Sequence, residues 1–161
     1  MVLCLMVVCM AGCEPTVEPE SRETVRLAIA KERLTLDLAL DPASRGKGLG
    51  GRRFIDPHQG MLMVLPQPEV VAAFMRDSWV PIDVAFLDED GQVLVTYTMP
   101  PEPPRRSGEG DAEYEARLPR YSSRFPVLFV LETAGGRLAE LSGAPGHSLH
   151  LDWKALARRA R

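Results

Sequence analysis

Residues 60–90, GMLMVLPQPEVVAAFMRDSWVPIDVAFLDED, alternate apolar runs with prolines and polar residues. Two of the runs, residues 61–65 and 70–75, have the length of strands, and Pro66, Gln67 and Pro68 separate them. Because proline cannot donate a hydrogen bond to a sheet, we predict two short strands joined by a turn at these prolines. A third apolar run, residues 82–87, completes a sheet-turn-sheet arrangement.

A hairpin follows directly from the third run. Residues 82–87 and 92–99 are separated by DEDG at 88–91, and an Asp-Gly pair tolerates the positive φ that tight hairpin turns require. Upstream, apolar residues alternate over 24–30 and 34–40, which predicts two further strands with a turn at residues 31–32. Downstream, the continuous apolar run within residues 126–132 predicts a strand buried on both faces, and residues 148–151 predict a closing strand.

Helices occupy little of the chain. Asp41 before Pro42 predicts an N-cap and a short helix that starts at the proline. Residues 134–141 predict a second short helix, and Asp152 predicts the cap of a last one. Residues 100–120, with four prolines before Arg105, predict an irregular, mobile loop. The fold class is therefore mainly β, a β-rich α+β domain over residues 24–161: a compact antiparallel barrel-like or sandwich domain with two or three short helices.

The N-terminus resembles a secretory leader. Residues 1–12 carry no charge and are largely apolar, and Met10-Ala11-Gly12-Cys13 is similar to a lipoprotein processing motif. We therefore predict a signal peptide at 1–12, lipidation of Cys13, a tether through residue 23, and a membrane-anchored lipoprotein of the cell envelope that faces the periplasm or exterior. The alternatives are an ordinary signal peptide or a buried apolar strand. All three cysteines lie in this segment, so the mature domain holds no internal disulfide.

Composition limits the partners. The chain has 161 residues, 45% hydrophobic and 25% charged, which suits one globular domain. Its net charge of −3 provides no basic field for nucleic acid. The three histidines have no metal-site spacing, so the sequence predicts no metal site and no cofactor. The predicted partners are the membrane, through the lipid anchor, and a small-molecule or protein ligand of unknown identity.

Several segments resemble a known family. GMLMVLPQP at 60–68, FMRDSWVPIDVAFLDEDG at 74–91 and YSSRFPVLFVLE at 121–132 are similar to the domain of unknown function 192 family, whose usual pattern is GMLFVFP, WMKNTxIPLDIxFID and YxLE. RGKGLGGRR at 45–53 resembles the family's ERxxGLMxR. The family has no assigned activity, so the resemblance implies a fold and not a reaction.

Polar residues inside these segments predict a binding pocket. Phe74 stands where the family has Trp, and Arg76, Asp77 and Ser78 stand where it has Lys, Asn and Thr. The predicted pocket residues, which we expect to share one mouth, are Phe74, Met75, Arg76, Asp77, Ser78, Asp83, Tyr121, Ser122 and Glu132.

Asp83 is a charge within an apolar strand, which is unfavourable unless the carboxylate is paired. One interpretation is structural: Asp83 accepts bonds from the Ser78 hydroxyl and from backbone N–H groups of the turn at 77–80. The other interpretation is functional, in which Asp83 binds a ligand or takes part in catalysis.

Three functions are compatible with the sequence. The first is a binding or interaction module of the cell envelope. The second is a hydrolase-like enzyme that uses Asp83 and Glu132 as an acid pair, although no Ser-His-Asp constellation is present and the catalytic residues are otherwise unknown. The third is copper handling, because Met61, Met63, Met75 and Met99 supply thioethers, which are soft ligands for Cu(I).

Overall fold

The computed structural model describes residues 23–141 and 143–161. The predicted signal peptide, the predicted lipidation site Cys13 and nearly all of the tether lie outside these ranges. The described chain contains eight strands and four short helices, in this order: β1 Thr24–Ile29, β2 Glu32–Ala39, α1 Pro42–Lys47, β3 Gln59–Glu69, β4 Ala72–Ala73, β5 Ile82–Leu87, β6 Val93–Met99, α2 Asp111–Arg117, β7 Tyr121–Ser122, β8 Val127–Ala134, α3 Arg137–Glu140 and α4 Trp153–Ala157.

Six strands form one sheet in the order β1-β2-β3-β8-β5-β6, and β4 pairs with β7 in a separate two-stranded ribbon. All neighbours are antiparallel except β2 and β3, which are parallel. The prediction of a mainly β domain is confirmed. The sheet is open, with β1 and β6 at its edges, so the sandwich-like form describes it and the barrel form does not. No helix in the described ranges is long and apolar enough to span a membrane.

The sheet has two differently covered faces. Glu132 of β8 lies opposite Val84 of β5, and the next pair is Thr133 with Asp83. Because successive side chains of a strand point to opposite faces, Glu132 and Asp83 lie on opposite sides of the sheet. We call the side of Glu132 the α1 face, since α1 and the ribbon cover it. On the other side, the α4 face, the Trp153 ring of α4 lies 4.7 Å from the Phe129 ring.

Several local predictions are confirmed. The hairpin of β5 and β6 turns at Gly91, whose φ is 81°, and the Asp88 carboxylate accepts the backbone N–H groups of Asp90 and Gln92. Asp41 caps α1, and Asp152 caps α4 by accepting the N–H of Ala155. β8 is buried along nearly its whole length, as its continuous apolar sequence predicts.

The predicted turn at Pro66 and Pro68 is wrong. β3 continues through both prolines to Glu69, and only Ala72–Ala73 remains of the predicted second strand. The ladder between β3 and β8 has no pairs between Val64 and Glu69, so the proline nitrogens sit where the sheet needs no donor. The prolines therefore mark a bulge within a long strand.

The predicted loop at residues 100–120 is also wrong in part, because residues 111–117 form α2. Tyr114 fixes this helix: its side chain is buried, and its hydroxyl accepts the N–H of Asp77 at 3.0 Å. Residues 148–151 form no strand and contribute two isolated bridges, and the described helices number four where two or three were predicted.

Candidate functional site

A cavity of about 350 Å³ lies on the α1 face, between the sheet and the segments that cover it. Its floor consists of sheet residues that point to this face, and its cover consists of residues from 45–50 and from 71–78. The floor residues are Met63, Leu65, Ile82, Phe86, Met99, Val130 and Glu132. A site of this size and mostly apolar lining is typical of small-molecule pockets.

The cover is held close to the sheet by α1. A capping box at Asp41 and Ser44 starts the helix, and the Arg45 guanidinium donates to the backbone oxygens of Leu40 at 2.8 Å and Val64 at 3.0 Å. The helix ends at Gly48, whose φ is 53°. This conformation is unfavourable for residues with a Cβ, so glycine allows the chain to turn here.

Gly48 also permits a close approach to the sheet. A Cβ at this position would lie 2.9 Å from Oε2 of Glu132 and 3.2 Å from Cε of Met63. The glycine therefore brings the following backbone N–H, that of Leu49, within 2.9 Å of Oε2 of Glu132. This is the bond that orients the carboxyl group.

Glu132 is the one acidic side chain among the described residues that line the cavity. It is 7% exposed. Its Oε2 accepts the Leu49 N–H, and its Oε1 accepts no hydrogen bond from any residue that the structure describes. Burial raises the pKa of this carboxyl group, while the Leu49 hydrogen bond and the charge of Arg52 oppose the rise. A carboxyl group with one oxygen free to bind a ligand therefore lies beside an apolar cavity.

Cations surround one side of the cavity. Arg45, Lys47 and Arg76 line it, and Lys47 is exposed. The Arg76 guanidinium forms an ion pair with Glu115 at 2.5 Å and lies 5.9 Å from the centre of the Phe74 ring. Arg120 lies over the same ring at 4.0 Å. Phe74 is thus an aromatic wall held under two guanidinium groups.

Five of the nine predicted pocket residues line this cavity, namely Phe74, Met75, Arg76, Ser78 and Glu132. Asp77 lies in a neighbouring surface depression of about 580 Å³, which shares Arg76 with the cavity. Tyr121 and Ser122 form β7 and do not line the cavity. Tyr121 packs at 5.4 Å from the Tyr97 ring, and the Tyr97 hydroxyl donates to the Ser122 backbone oxygen at 2.9 Å.

Asp83 does not belong to this site, and the predicted partners of its carboxylate are wrong. Its Oδ1 accepts the Thr98 hydroxyl at 2.7 Å, and its Oδ2 accepts the Leu138 N–H at 2.8 Å. The Ser78 hydroxyl donates instead to the backbone oxygen of Arg76, at 3.4 Å. Asp83 therefore anchors the start of α3 on the α4 face, and its position excludes an acid pair with Glu132 across one cleft.

The four methionines that were considered as copper ligands differ in whether they line the cavity. Met63, Met75 and Met99 line the cavity, whereas Met61 does not. Within the described ranges, no group of three His, Cys, Asp or Glu side chains forms a metal-binding cluster. Any metal in this cavity would therefore depend on thioether ligands together with Glu132.

Sequence reasoning misses the contributions of Gly48 and Leu49. In the sequence, the glycine-rich segment 45–53 is informative only through its resemblance to the family pattern. The remaining signal is a run of residues without side chains, which also permits close packing of backbone against a side chain. Nothing in the sequence identifies Glu132 as the side chain it approaches, since 83 positions separate Leu49 from Glu132.

Two solved structures are similar to this chain. One, from Sinorhizobium meliloti, is described as a "putative transcription regulator"; it has 29% identity and a TM-score of 0.65, over 83% of this chain and 97% of that one. The other, a protein of unknown function from Novosphingobium aromaticivorans, has 24% identity and a TM-score of 0.67, over 87% of this chain and 94% of that one, and shows the fold alone. No curated protein matches the chain. Residues 25–151 match DUF192, described as "Uncharacterized ACR", and the chain therefore belongs to this family.

Proposed function

We propose that this domain is a binding module for a small, mainly apolar molecule, which occupies the cavity on the α1 face and forms a hydrogen bond with Glu132. The observation that carries the proposal is a free carboxyl oxygen in a mostly apolar cavity of about 350 Å³. No buried side-chain oxygen of the described residues lacks a hydrogen-bond partner, so Oε1 is open to solvent, and a ligand atom that bonds to Oε1 takes the place of water there. The surrounding side chains supply apolar contact and little competing polarity.

The geometry favours binding over acid-base hydrolysis. Catalysis by an acid pair needs two carboxyl groups that reach the same substrate, and Asp83 faces the other side of the sheet. Glu132 alone offers one hydrogen-bonding group and no second acid among the described lining residues.

The test uses N-phenyl-1-naphthylamine, a neutral fluorescent probe with one N–H donor. We expect saturable binding to the purified chain with fluorescence enhancement. Ala73→Phe fills the cavity, and we expect at least about a tenfold loss of affinity, because a pocket residue that occupies ligand space removes apolar contact. Ala139→Phe is the matched control, since Ala139 is exposed on α3 beside the opposite face. Equal probe affinity in folded Ala73→Phe and wild type would refute the proposal.

Copper binding is a second candidate, favoured by the three methionines that line the same cavity. It is tested by competition for Cu(I) with a chromophoric chelator. Met63→Leu and Met99→Leu should each weaken Cu(I) binding, whereas Met61→Leu should not, because Met61 does not line the cavity. Equal Cu(I) affinity in all three variants and the wild type would eliminate this candidate.

We also propose that the module acts at the membrane surface of the cell envelope, held by lipidated Cys13. The support is the leader sequence, because stable attachment requires lipid chains or a comparable anchor. Cys13→Ser is expected to leave the domain folded and to move it from the membrane fraction to the soluble fraction. A variant that still sediments with membranes would show that some other segment provides the attachment.

A further inference from the structure

We propose that the ligand of this cavity is an amphiphilic organic anion, with its apolar chain in the cavity and its anionic head group at Lys47. This inference rests on the proposed binding function and adds the charge and shape of the ligand. It depends on three features: the cations at the rim, the unpaired state of Lys47, and the composition of the cavity interior.

The residues that line the cavity include three cations at its rim, Arg45, Lys47 and Arg76, and one acid, Glu132, on a chain whose net charge is −3. Arg45 and Arg120 donate hydrogen bonds only to backbone oxygens of described residues, although the charge of Arg45 also acts on the nearby Asp41 carboxylate and helps to lower its pKa. Arg76 is paired with Glu115. The adjacent depression adds two acids, Asp77 and Asp111, of which Asp111 is paired with Arg105. Cations concentrated at a cleft attract anions and raise their local concentration.

Lys47 is the cation available to a ligand. It is exposed at the end of α1 and lines both the cavity and the adjacent depression. It forms no hydrogen bond or ion pair with any described residue. A flexible ammonium group in this position can follow a head group that protrudes from the cavity.

The interior of the cavity is suited to the alkyl chain of an amphiphilic anion. Met63, Met75 and Met99 are unbranched and adapt to irregular apolar shapes. Glu132 would repel an anion if it were charged, but burial raises its pKa and favours the neutral form, which does not. A neutral carboxyl group also donates a hydrogen bond to an oxygen of the ligand, which an ionised one cannot do.

The test compares three probes with the same chain and different head groups: dodecanoate, dodecanol and dodecylamine. Binding is followed by NMR of ¹³C-methyl-labelled methionines in the purified chain, where Met63, Met75 and Met99 report the cavity and Met61 is the internal control. We expect dodecanoate to bind tightest and dodecylamine weakest, and added salt to weaken dodecanoate alone. Equal affinity for dodecanoate and dodecanol, or a preference for dodecylamine, would overturn the inference and leave the proposed binding function intact.

Variants of Lys47 locate the head group. Lys47→Met keeps the length and removes the charge, and we expect about a threefold to tenfold loss of dodecanoate affinity with no change for dodecanol, as is usual for a partly exposed charge pair. Lys47→Glu should cause a larger loss. Lys154→Glu on α4 is the matched control for net charge, since Lys154 is exposed on the opposite face. Unchanged dodecanoate affinity in both Lys47 variants, or an equal loss in Lys154→Glu, would overturn the inference.

Two classes of molecule supply an amphiphilic anion of this kind: free long-chain carboxylates in solution and anionic lipids with a single acyl chain. Lauroyl-lysophosphatidylglycerol supplies the second source. Tighter binding of this lipid than of dodecanoate would assign the ligand to lipid, and the reverse order would assign it to free acids. If neither anion shifts the three cavity methionines, the inference fails.

Discussion

Replacing Asp83 by alanine should destabilise the domain far more than replacing it by asparagine. The carboxylate is 2% exposed and accepts two hydrogen bonds, from the Thr98 hydroxyl and from the Leu138 N–H. Alanine removes both acceptors. Thr98 is exposed, so its hydroxyl can bond to water instead, but the N–H of Leu138 is buried at the first turn of α3 and loses its partner.

The magnitudes follow from these two bonds. A hydrogen bond to a charged group contributes about 1.5–3 kcal/mol, and a buried donor left unpaired costs about 1–3 kcal/mol. We therefore expect Asp83→Ala to lower the free energy of unfolding by about 3 kcal/mol. Asparagine can accept the Leu138 N–H through its oxygen and donate its NH₂ to the Thr98 hydroxyl, which also accepts hydrogen bonds. Asp83→Asn should therefore cost only about 1 kcal/mol.

Urea unfolding followed by circular dichroism measures both differences, provided that the m-values are unchanged. Thr98→Val is the control for the weaker bond, and its effect should be close to that of Asp83→Asn. Wild-type stability in Asp83→Ala would contradict the anchoring role. Equal losses in the alanine and asparagine variants would show that the charge matters and the hydrogen-bond geometry does not.

Three further predictions concern the site and its cover. Because the pKa of Glu132 is raised in the folded state, protonation of Glu132 contributes fully to the free energy of unfolding below the unfolded-state pKa near 4.5, and this contribution is lost as pH rises. In urea melts, Glu132→Gln should therefore be more stable than wild type at pH 8 but not at pH 4. The same difference at both pH values would contradict the raised pKa. Gly48→Ala should be less stable than Gly51→Ala, since both glycines have positive φ but only a Cβ at Gly48 meets Glu132; equal losses would argue against the close approach. Trypsin should cut first at residues 105–106 and leave α2 intact, and Tyr114→Ala should expose α2 to cleavage; first cleavage within wild-type α2 would rule out its anchoring by Tyr114.

Local chemistry makes much of the fold predictable. The Asp-Gly hairpin, the Asp41 and Asp152 caps and the buried β8 strand each depend on residues that are adjacent in sequence, so their signals are complete in the printed chain. The helix α2 is not predictable in the same way. The prolines and glycines of this region precede α2 and do not interrupt it. Tyr114 fixes the helix through the hydrogen bond from the N–H of Asp77, a residue 37 positions away in the sequence.

The prolines of β3 show a second limit. Pro66 and Pro68 interrupt the apolar pattern, and a turn is the usual consequence. A proline nitrogen breaks a strand only where the neighbouring strand needs a donor, and this depends on the partner and the register. The β8 ladder skips the residues between Val64 and Glu69, which removes that need. Sequence alone does not contain this pairing.

Asp83 and Glu132 show why the candidate site is only half predictable. Both are acids within apolar strands, and this shared pattern predicts one mouth for both of them. The strands are neighbours in the sheet, but Asp83 pairs with Thr133 and not with Glu132, so a shift of one position places the two carboxyl groups on opposite faces. On the α4 face, Asp83 has a hydrogen bond to each carboxylate oxygen and serves the fold. On the α1 face, Oε2 of Glu132 accepts the Leu49 N–H and Oε1 accepts no hydrogen bond from a described residue, so the register of two strands separates the structural acid from the functional candidate.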